Sequence, residues 1–263
     1  MKTISIVNLK GGVGKTTTVL NMAALLAAEH GKRVLIIDAD SQYNLSMHLR
    51  ADRTGATLCS LFEGEAYYEN LVQQTYLRNV DIIPASLDLM EYDLSMLKGG
   101  AVNQACIRDL CAALSEDEAY DFVLIDCPPS FSAACAAAIV AADEVIIPTT
   151  VGAYEQEGIK NLLCQIDGMR RINPGLRVAG VLVTMYQRGN LCLQGSSYLR
   201  NHLPVKVFEN EIWRSAKVGE SAYAQQPVLD WSPGSWAGRA YRTFVKEYLG
   251  LGAKLYADEE TEI

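Results

Sequence analysis

The sequence predicts an α/β fold: a doubly wound, mostly parallel sheet with helices on both faces. Three observations predict it. Short apolar runs, several of them β-branched and nearly continuous, recur along the 263 residues, as strands buried on both faces require. Helix-like stretches separate these runs, which implies right-handed crossovers between parallel strands. A glycine-rich segment joins the first run to the first helix, and in an open α/β sheet ligands sit beyond the carboxyl ends of the strands.

In chain order, residues 4–9 form the first predicted strand. Residues 16–29 form a helix closed by Gly31, because glycine takes the left-handed conformation that ends helices. Further strands are predicted at 34–38, 80–85, 122–126, 145–148, 178–184 and 205–208, from their runs of Val, Ile and Leu. Helices are predicted at 87–97, 102–114, 131–142 and 155–172, the last stopped by Asn173-Pro174. No linker, repeat or low-complexity segment divides the chain, so residues 1–263 read as one domain with a disordered tail at 258–263.

Hydrophobic residues make up 49% and charged residues 21%, which excludes a disordered chain. No apolar run approaches the ~18 residues of a bilayer span, and Met1-Lys2-Thr3-Ile4 lacks a signal-peptide layout. Neither an integral membrane protein nor an exported one is expected. Seven cysteines without a Cys-x-x-Cys pair predict buried thiols in a reducing cytoplasm, not a disulfide framework or zinc ribbon. The net charge of −8 is uneven: across residues 170–246, 11 Lys/Arg stand against four acids, a net +7 that leaves −15 elsewhere. That basic third is a candidate polyanion footprint, unless its charges scatter over a solvated face.

The segment after the first strand reads Lys10-Gly11-Gly12-Val13-Gly14-Lys15-Thr16-Thr17-Thr18. Glycines let successive N–H groups converge on an anion, and the following helix adds its positive end. Lys15 can reach the β- and γ-phosphates of a nucleotide, and the Thr16 hydroxyl can ligate Mg²⁺. Leu9 stands where the common phosphate loop has its first glycine, and a second lysine, Lys10, enters the loop.

This loop resembles the deviant Walker A motif of the ParA/Soj/MinD ATPases, and the likeness extends over nearly the whole chain. It implies a P-loop NTPase fold in which Lys10, the signature lysine, reaches the nucleotide of a partner subunit. Gly11, Gly12, Val13, Gly14, Lys15, Thr16 and Thr17 would cradle the phosphates. The run Asp38-Ala39-Asp40-Ser41-Gln42 is similar to the family's Asp-x-Asp-x-Gln motif. Asp40 would orient the attacking water and accept its proton, while Asp38 shapes the magnesium environment. Asp126, at the end of the apolar run 122–126, corresponds to the Walker B aspartate that holds Mg²⁺. Residues 149–158, with Tyr154 and Glu155, and 183–186 also follow the family.

Residues 212–220, Ile-Trp-Arg-Ser-Ala-Lys-Val-Gly-Glu, resemble the family loop that flanks the adenine, with Trp213 replacing the usual proline. The resemblance assigns Met185, Trp213 and Ser215 to the nucleotide, and Arg188, Arg214 and Lys217 to DNA phosphates. Cys127 lacks the context of a cluster ligand and reads as a core thiol.

The function implied is a slow ATPase that partitions a plasmid or chromosome. ATP and Mg²⁺ would join two subunits into a sandwich homodimer that binds double-stranded DNA nonspecifically. A ParB-like partner would stimulate hydrolysis and release. The expected place is the cytoplasm, on the nucleoid. A MinD-like or cargo-positioning ATPase acting on a membrane or protein scaffold is the alternative, but the acidic end at 257–263 would repel anionic lipid. A metabolic phosphotransferase is a third reading, opposed by Lys10 and the 212–220 segment. The phosphate loop begins by residue 10, so sequence-specific operator binding is not expected and DNA contact should be to phosphates.

Overall fold

The computed structural model describes residues 1–64, 68–98, 102–152 and 155–252. Tyr154 and the tail at 258–263 lie outside the described residues. In chain order the elements are β1 (Lys2–Ile6), α1 (Lys15–His30), β2 (Val34–Asp38), α2 (Asn44–His48), α3 (Leu58–Glu63) and α4 (Tyr68–Leu71). Then come β3 (Gln73–Gln74), β4 (Val80–Ile83), α5 (Leu89–Leu97), α6 (Cys106–Glu116), β5 (Phe122–Asp126) and α7 (Ala133–Ala141). The chain continues with β6 (Glu144–Thr149), α8 (Glu155–Met169), β7 (Arg177–Val183), α9 (Asn190–His202), α10 (Ala216–Tyr223), α11 (Val228–Trp231) and α12 (Trp236–Tyr248).

The strands form a seven-stranded sheet in the order β3-β4-β2-β5-β1-β6-β7. All neighbours are parallel except β3 and β4. Alternation along the strands divides the core. In β2, Val34 and Ile36 join α1 and α12 on one face, whereas Leu35 and Ile37 meet α6 and α7 on the other. Both layers are therefore closed, as the near-continuous apolar runs predict.

Ile6, Asp126 and Asp38 end β1, β5 and β2 at one level of the register. That common edge is where the three nucleotide motifs meet. Strand β1 stops at Ile6 instead of running to residue 9, because Val7–Leu9 already lead into the glycine loop. Helix α6 starts at Cys106, four residues later than predicted, because the Asn103 side chain captures the Ala105 N–H in a local turn. Helix α8 ends at Met169, where Asn173 turns back to cap the carbonyls of Val140 and Ala142.

The predicted strand at 205–208 is not one. Val207 makes an isolated bridge with Val181, and Phe208 then turns its ring onto Phe244, 5.0 Å away between centroids. The seventh strand is instead β3, whose two glutamines carry no apolar signal.

Five of the seven cysteines are buried and all are free thiols; Cys164 is exposed and Cys192 half-buried, which departs from the expectation of buried thiols throughout. Cys127 is fully buried, as expected of a core thiol.

Candidate functional site

The loop between β1 and α1 is fixed by its own Asn8 and by Thr184, the residue that follows β7. Asn8 accepts from the Lys10 N–H at 2.9 Å and donates to the Pro148 carbonyl at 2.7 Å. Thr184, at the end of β7, donates to the carbonyls of Val13 (2.8 Å) and Thr149 (3.1 Å). Gly12 and Gly14 take left-handed φ values of 73° and 84°, which side chains with a β-carbon rarely adopt. Gly14 precedes α1 and offers no side-chain cap, so the first N–H groups of a 16-residue helix point at the loop.

Lys15 is 6% exposed, and its ammonium donates to the Lys10 carbonyl at 3.3 Å. Among the described residues no carboxylate lies within ion-pair distance of it. A buried ammonium held by a carbonyl, above an uncapped helix start, is the charge complement of a phosphate.

The two strand-end aspartates differ. Asp38 is saturated: its carboxylate accepts from the Ser46 N–H (2.8 Å), the Ser46 hydroxyl (2.6 Å) and the Asp40 N–H (3.2 Å). Burial pushes its pKa up to about 6 against those hydrogen bonds. Asp126 is also buried, yet neither of its oxygens has a hydrogen bond of normal geometry. Burial, then the neighbouring Asp38 charge, raise its pKa well above the usual carboxylate range. Thr16 and Lys15 lie close enough to favour the ionised form. An orphaned buried carboxylate next to a threonine hydroxyl fits a magnesium ion, which takes few protein ligands and keeps water and phosphate oxygens. Asp38 instead holds the turn that carries Asp40.

Asp40 is half-buried, and one oxygen accepts from the Gln42 N–H at 3.0 Å. Lys10 is exposed, and its ammonium pairs with Glu155 at 2.5 Å. Burial pushes the Glu155 pKa up, but hydrogen bonds from Lys10 and Thr150 outweigh it and hold the carboxyl below its ordinary value. Gly11 is exposed, Val13 buried, and Thr17 half-buried on the first turn of α1.

The late segments meet through backbone pairing. Tyr186 and Trp213 form a parallel bridge, with Tyr186 N–H to Ile212 O at 3.0 Å and Arg214 N–H to Tyr186 O at 2.9 Å. This puts Met185, Arg188, Trp213, Arg214 and Ser215 on one edge. Met185 is exposed with a left-handed φ of 52°. The Trp213 ring packs between Tyr186 and Trp236, at centroid distances of 5.1 Å and 5.7 Å. Ser215 caps α10 by accepting from the Lys217 N–H at 3.2 Å. Lys217 pairs with Glu220 at 2.7 Å.

Sequence reasoning gave no role to Asn8, Ser46 or Thr184, which shape the loop and the aspartate turn. Asn8 and Thr184 are lone polar residues at the ends of apolar runs, the one signal that could have marked them; Ser46, in Asn44-Leu45-Ser46-Met47-His48, carries no such signal.

Strand, glycine loop, uncapped helix and orphaned aspartate define an α/β protein of the P-loop NTPase class. Residues 1–178 match the family model AAA_31, an AAA domain. The chain is 37% identical over 253 residues to the chromosome partitioning protein ParA of Caulobacter vibrioides, covering 95% of this chain and 94% of that one. It is 36% identical over 253 residues to the chromosome-partitioning ATPase Soj of Thermus thermophilus, covering 95% and 96%. It therefore belongs to the ParA/Soj family of chromosome-partitioning proteins. Among solved structures, cobyrinic acid a,c-diamide synthase of Mycobacterium smegmatis, with bound ADP and magnesium, superposes with a TM-score of 0.80 at 27% identity over 94% of both chains. The septum site-determining protein MinD of Pyrococcus horikoshii, complexed with Mg-ADP, gives 0.77 at 26% identity over 97% and 99%. Among the described residues no helix is long and apolar enough to cross a membrane.

Proposed function

We propose that this chain is a magnesium-dependent ATPase of DNA partitioning, whose ATP-bound form is a face-to-face homodimer on nonspecific double-stranded DNA in the cytoplasm. The related scaffold of the Mycobacterium smegmatis synthase shows that fold alone does not decide this. One observation carries the reading: the buried Lys15 ammonium, bonded to a carbonyl at the start of α1, close enough to the buried Asp126 carboxylate to favour its ionised form, with neither Asp126 oxygen in a hydrogen bond of normal geometry.

In this reading the N–H groups of Gly11 to Thr17 and the Lys15 ammonium bind the β- and γ-phosphates. Thr16 and Asp126 hold Mg²⁺, which when bound neutralises phosphate charge. Asp38, tied to Ser46, fixes the turn so that Asp40 faces the γ-phosphate. Asp40 orients a water and takes its proton as the water oxygen bonds to phosphorus and the bond to ADP breaks. Lys10 of the partner subunit stabilises charge on the transferring group. Met185, Trp213 and Ser215 border the base. Arg188, Arg214 and Lys217 touch DNA phosphates, and a ParB-like protein stimulates the otherwise slow turnover.

Two substitutions separate binding from chemistry. Lys15→Ala abolishes ATP binding in calorimetry, since it removes a buried charge-assisted contact. Asp40→Ala retains binding but lowers phosphate release by about 100-fold or more, the usual contribution of a positioned base. Undiminished turnover in the second variant takes Asp40 out of the mechanism.

A further inference from the structure

Lys10 has two incompatible places to be. In the isolated subunit its side chain, 56% exposed, is held by Glu155 at the start of α8, whose side chain is 7% exposed. The same Glu155 oxygen accepts from the Thr150 hydroxyl at 3.1 Å. The backbone of Lys10 is pinned on both sides, its N–H by Asn8 and its carbonyl by the Lys15 ammonium. Only the side chain can swing, so a change of partner needs no loop movement.

A second observation shows that room has been left for this contact. A β-carbon on Gly152 would lie 2.6 Å from one Glu155 oxygen and 2.7 Å from the carboxyl carbon. Gly152 does not occupy the left-handed region, so its backbone has no need of glycine. A β-carbon there would displace the carboxylate from its present position. Behind it, Gly195 of α9 leaves space for Val151, which backs the loop that carries Gly152.

We propose that Glu155 is a positioning residue that latches Lys10 onto its own subunit, so that each subunit must release the latch before Lys10 can serve the other. This rests on the face-to-face dimer described above. Release takes the ammonium from a carboxylate that is itself nearly inaccessible to water, so solvent replaces the broken contact poorly. The latch therefore sets a threshold: association proceeds when the gain from the partner's triphosphate exceeds two broken ion pairs. A dimer carries two latches, so any effect on one appears squared in the dissociation constant.

The test uses Glu155→Gln, which removes the charge, and Gly152→Ala, which pushes the carboxylate aside without touching it chemically. In the nucleotide-free protein, pulse acetylation read by mass spectrometry should show Lys10 labelled about three- to tenfold faster in both variants, relative to the other lysines. With Mg²⁺ and a nonhydrolysable ATP analogue, sedimentation velocity should show a dimer about ten- to a hundredfold tighter than wild type, because two latches are lost. Unchanged Lys10 labelling in both variants overturns the latch. So does faster labelling with an unchanged or weaker dimer, while wild type still dimerises. A wild-type protein that stays monomeric with saturating analogue instead overturns the dimer reading, and with it any role for the latch in assembly.

Discussion

Asp38 and Asp126 sit side by side on neighbouring strands at the same level, yet the chain has given them opposite work. Asp38 spends its lone pairs on Ser46 and the Asp40 N–H, so removing it would free the turn that carries Asp40. Asp126 spends none on a well-formed hydrogen bond. In the metal-free protein a carboxylate in that position opposes folding, because Thr16 and Lys15 only partly offset its desolvation and the repulsion from Asp38. Asp126→Asn should therefore raise the stability of the metal-free protein, by about 1–3 kcal/mol on the usual scale for an unsatisfied buried group. The same variant should lose the stabilisation that Mg²⁺ and nucleotide together give wild type. Thermal melts with and without Mg-ATP read both effects, and a variant less stable than wild type without metal would show that Asp126 has partners of its own. This residue-level contrast is not legible in the sequence. Both aspartates end apolar runs, and only the neighbours brought by folding, such as Ser46 eight residues on, tell them apart. The phosphate loop was legible because its chemistry is local: glycines, lysine and threonine act from adjacent positions.

At the scale of elements, the buried parallel strands and the helices between them follow from period and composition, since both faces of the sheet must be closed. The terminal third follows less well. Helix α12, absent from the predicted elements, does carry a local signal: Ser235 caps it, and Ala237, Ala240, Tyr241 and Phe244 repeat at helical spacing. Helices α9 and α10 are mostly exposed, so their apolar residues do not line up on one buried face. Residues 205–208 mislead for another reason. Their β-branched pattern is real, but Phe208 crosses over Gly180, where a β-carbon would stand 2.8 Å from its ring and 3.2 Å from the Lys206 carbonyl. The chain leaves the sheet there after two hydrogen bonds, Val181 N–H to Lys206 O at 2.8 Å and Phe208 N–H to Val181 O at 2.9 Å. Gly180→Ala should consequently destabilise the protein by about 1–3 kcal/mol, an overpacking penalty. Denaturant midpoints measure it; an unchanged midpoint would mean that the Phe208 ring has somewhere else to go.

For the whole molecule, charge is the property in which sequence and folded surface diverge most. The +7 of residues 170–246 counts cations without asking where they point. Among the described residues folding pairs at least six of those 11 with carboxylates: Arg170 with Asp167, Arg177 with Glu144, Arg200 with Glu211, Lys206 with Glu247, Lys217 with Glu220 and Arg242 with Glu29. Four of these carboxylates, Glu29, Glu144, Asp167 and Glu247, lie outside the basic segment, so part of the segregation in sequence is undone in space. Of the other five cations, Arg188 and Arg214 are set side by side by the Tyr186–Trp213 bridge, with no carboxylate in ion-pair range of either among the described residues, which makes that edge the candidate polyanion surface. Arg188 also lies 6.0 Å from the Trp213 ring, which restrains its side chain at the rim. If DNA phosphates are held there, the three proposed cations should not count equally. Arg188→Glu or Arg214→Glu should weaken duplex binding more than Lys217→Glu, because Lys217 already shares its charge with Glu220. A two-fold dimer presents each arginine twice, so either arginine reversal should flatten the slope of log affinity against log salt by about 2 for an ATP-bound dimer on B-DNA. Fluorescence anisotropy across a salt series reads the slope. Equal losses at all three positions would place DNA over α10, and an unchanged slope at Arg188 and Arg214 would move the DNA surface away from this edge altogether.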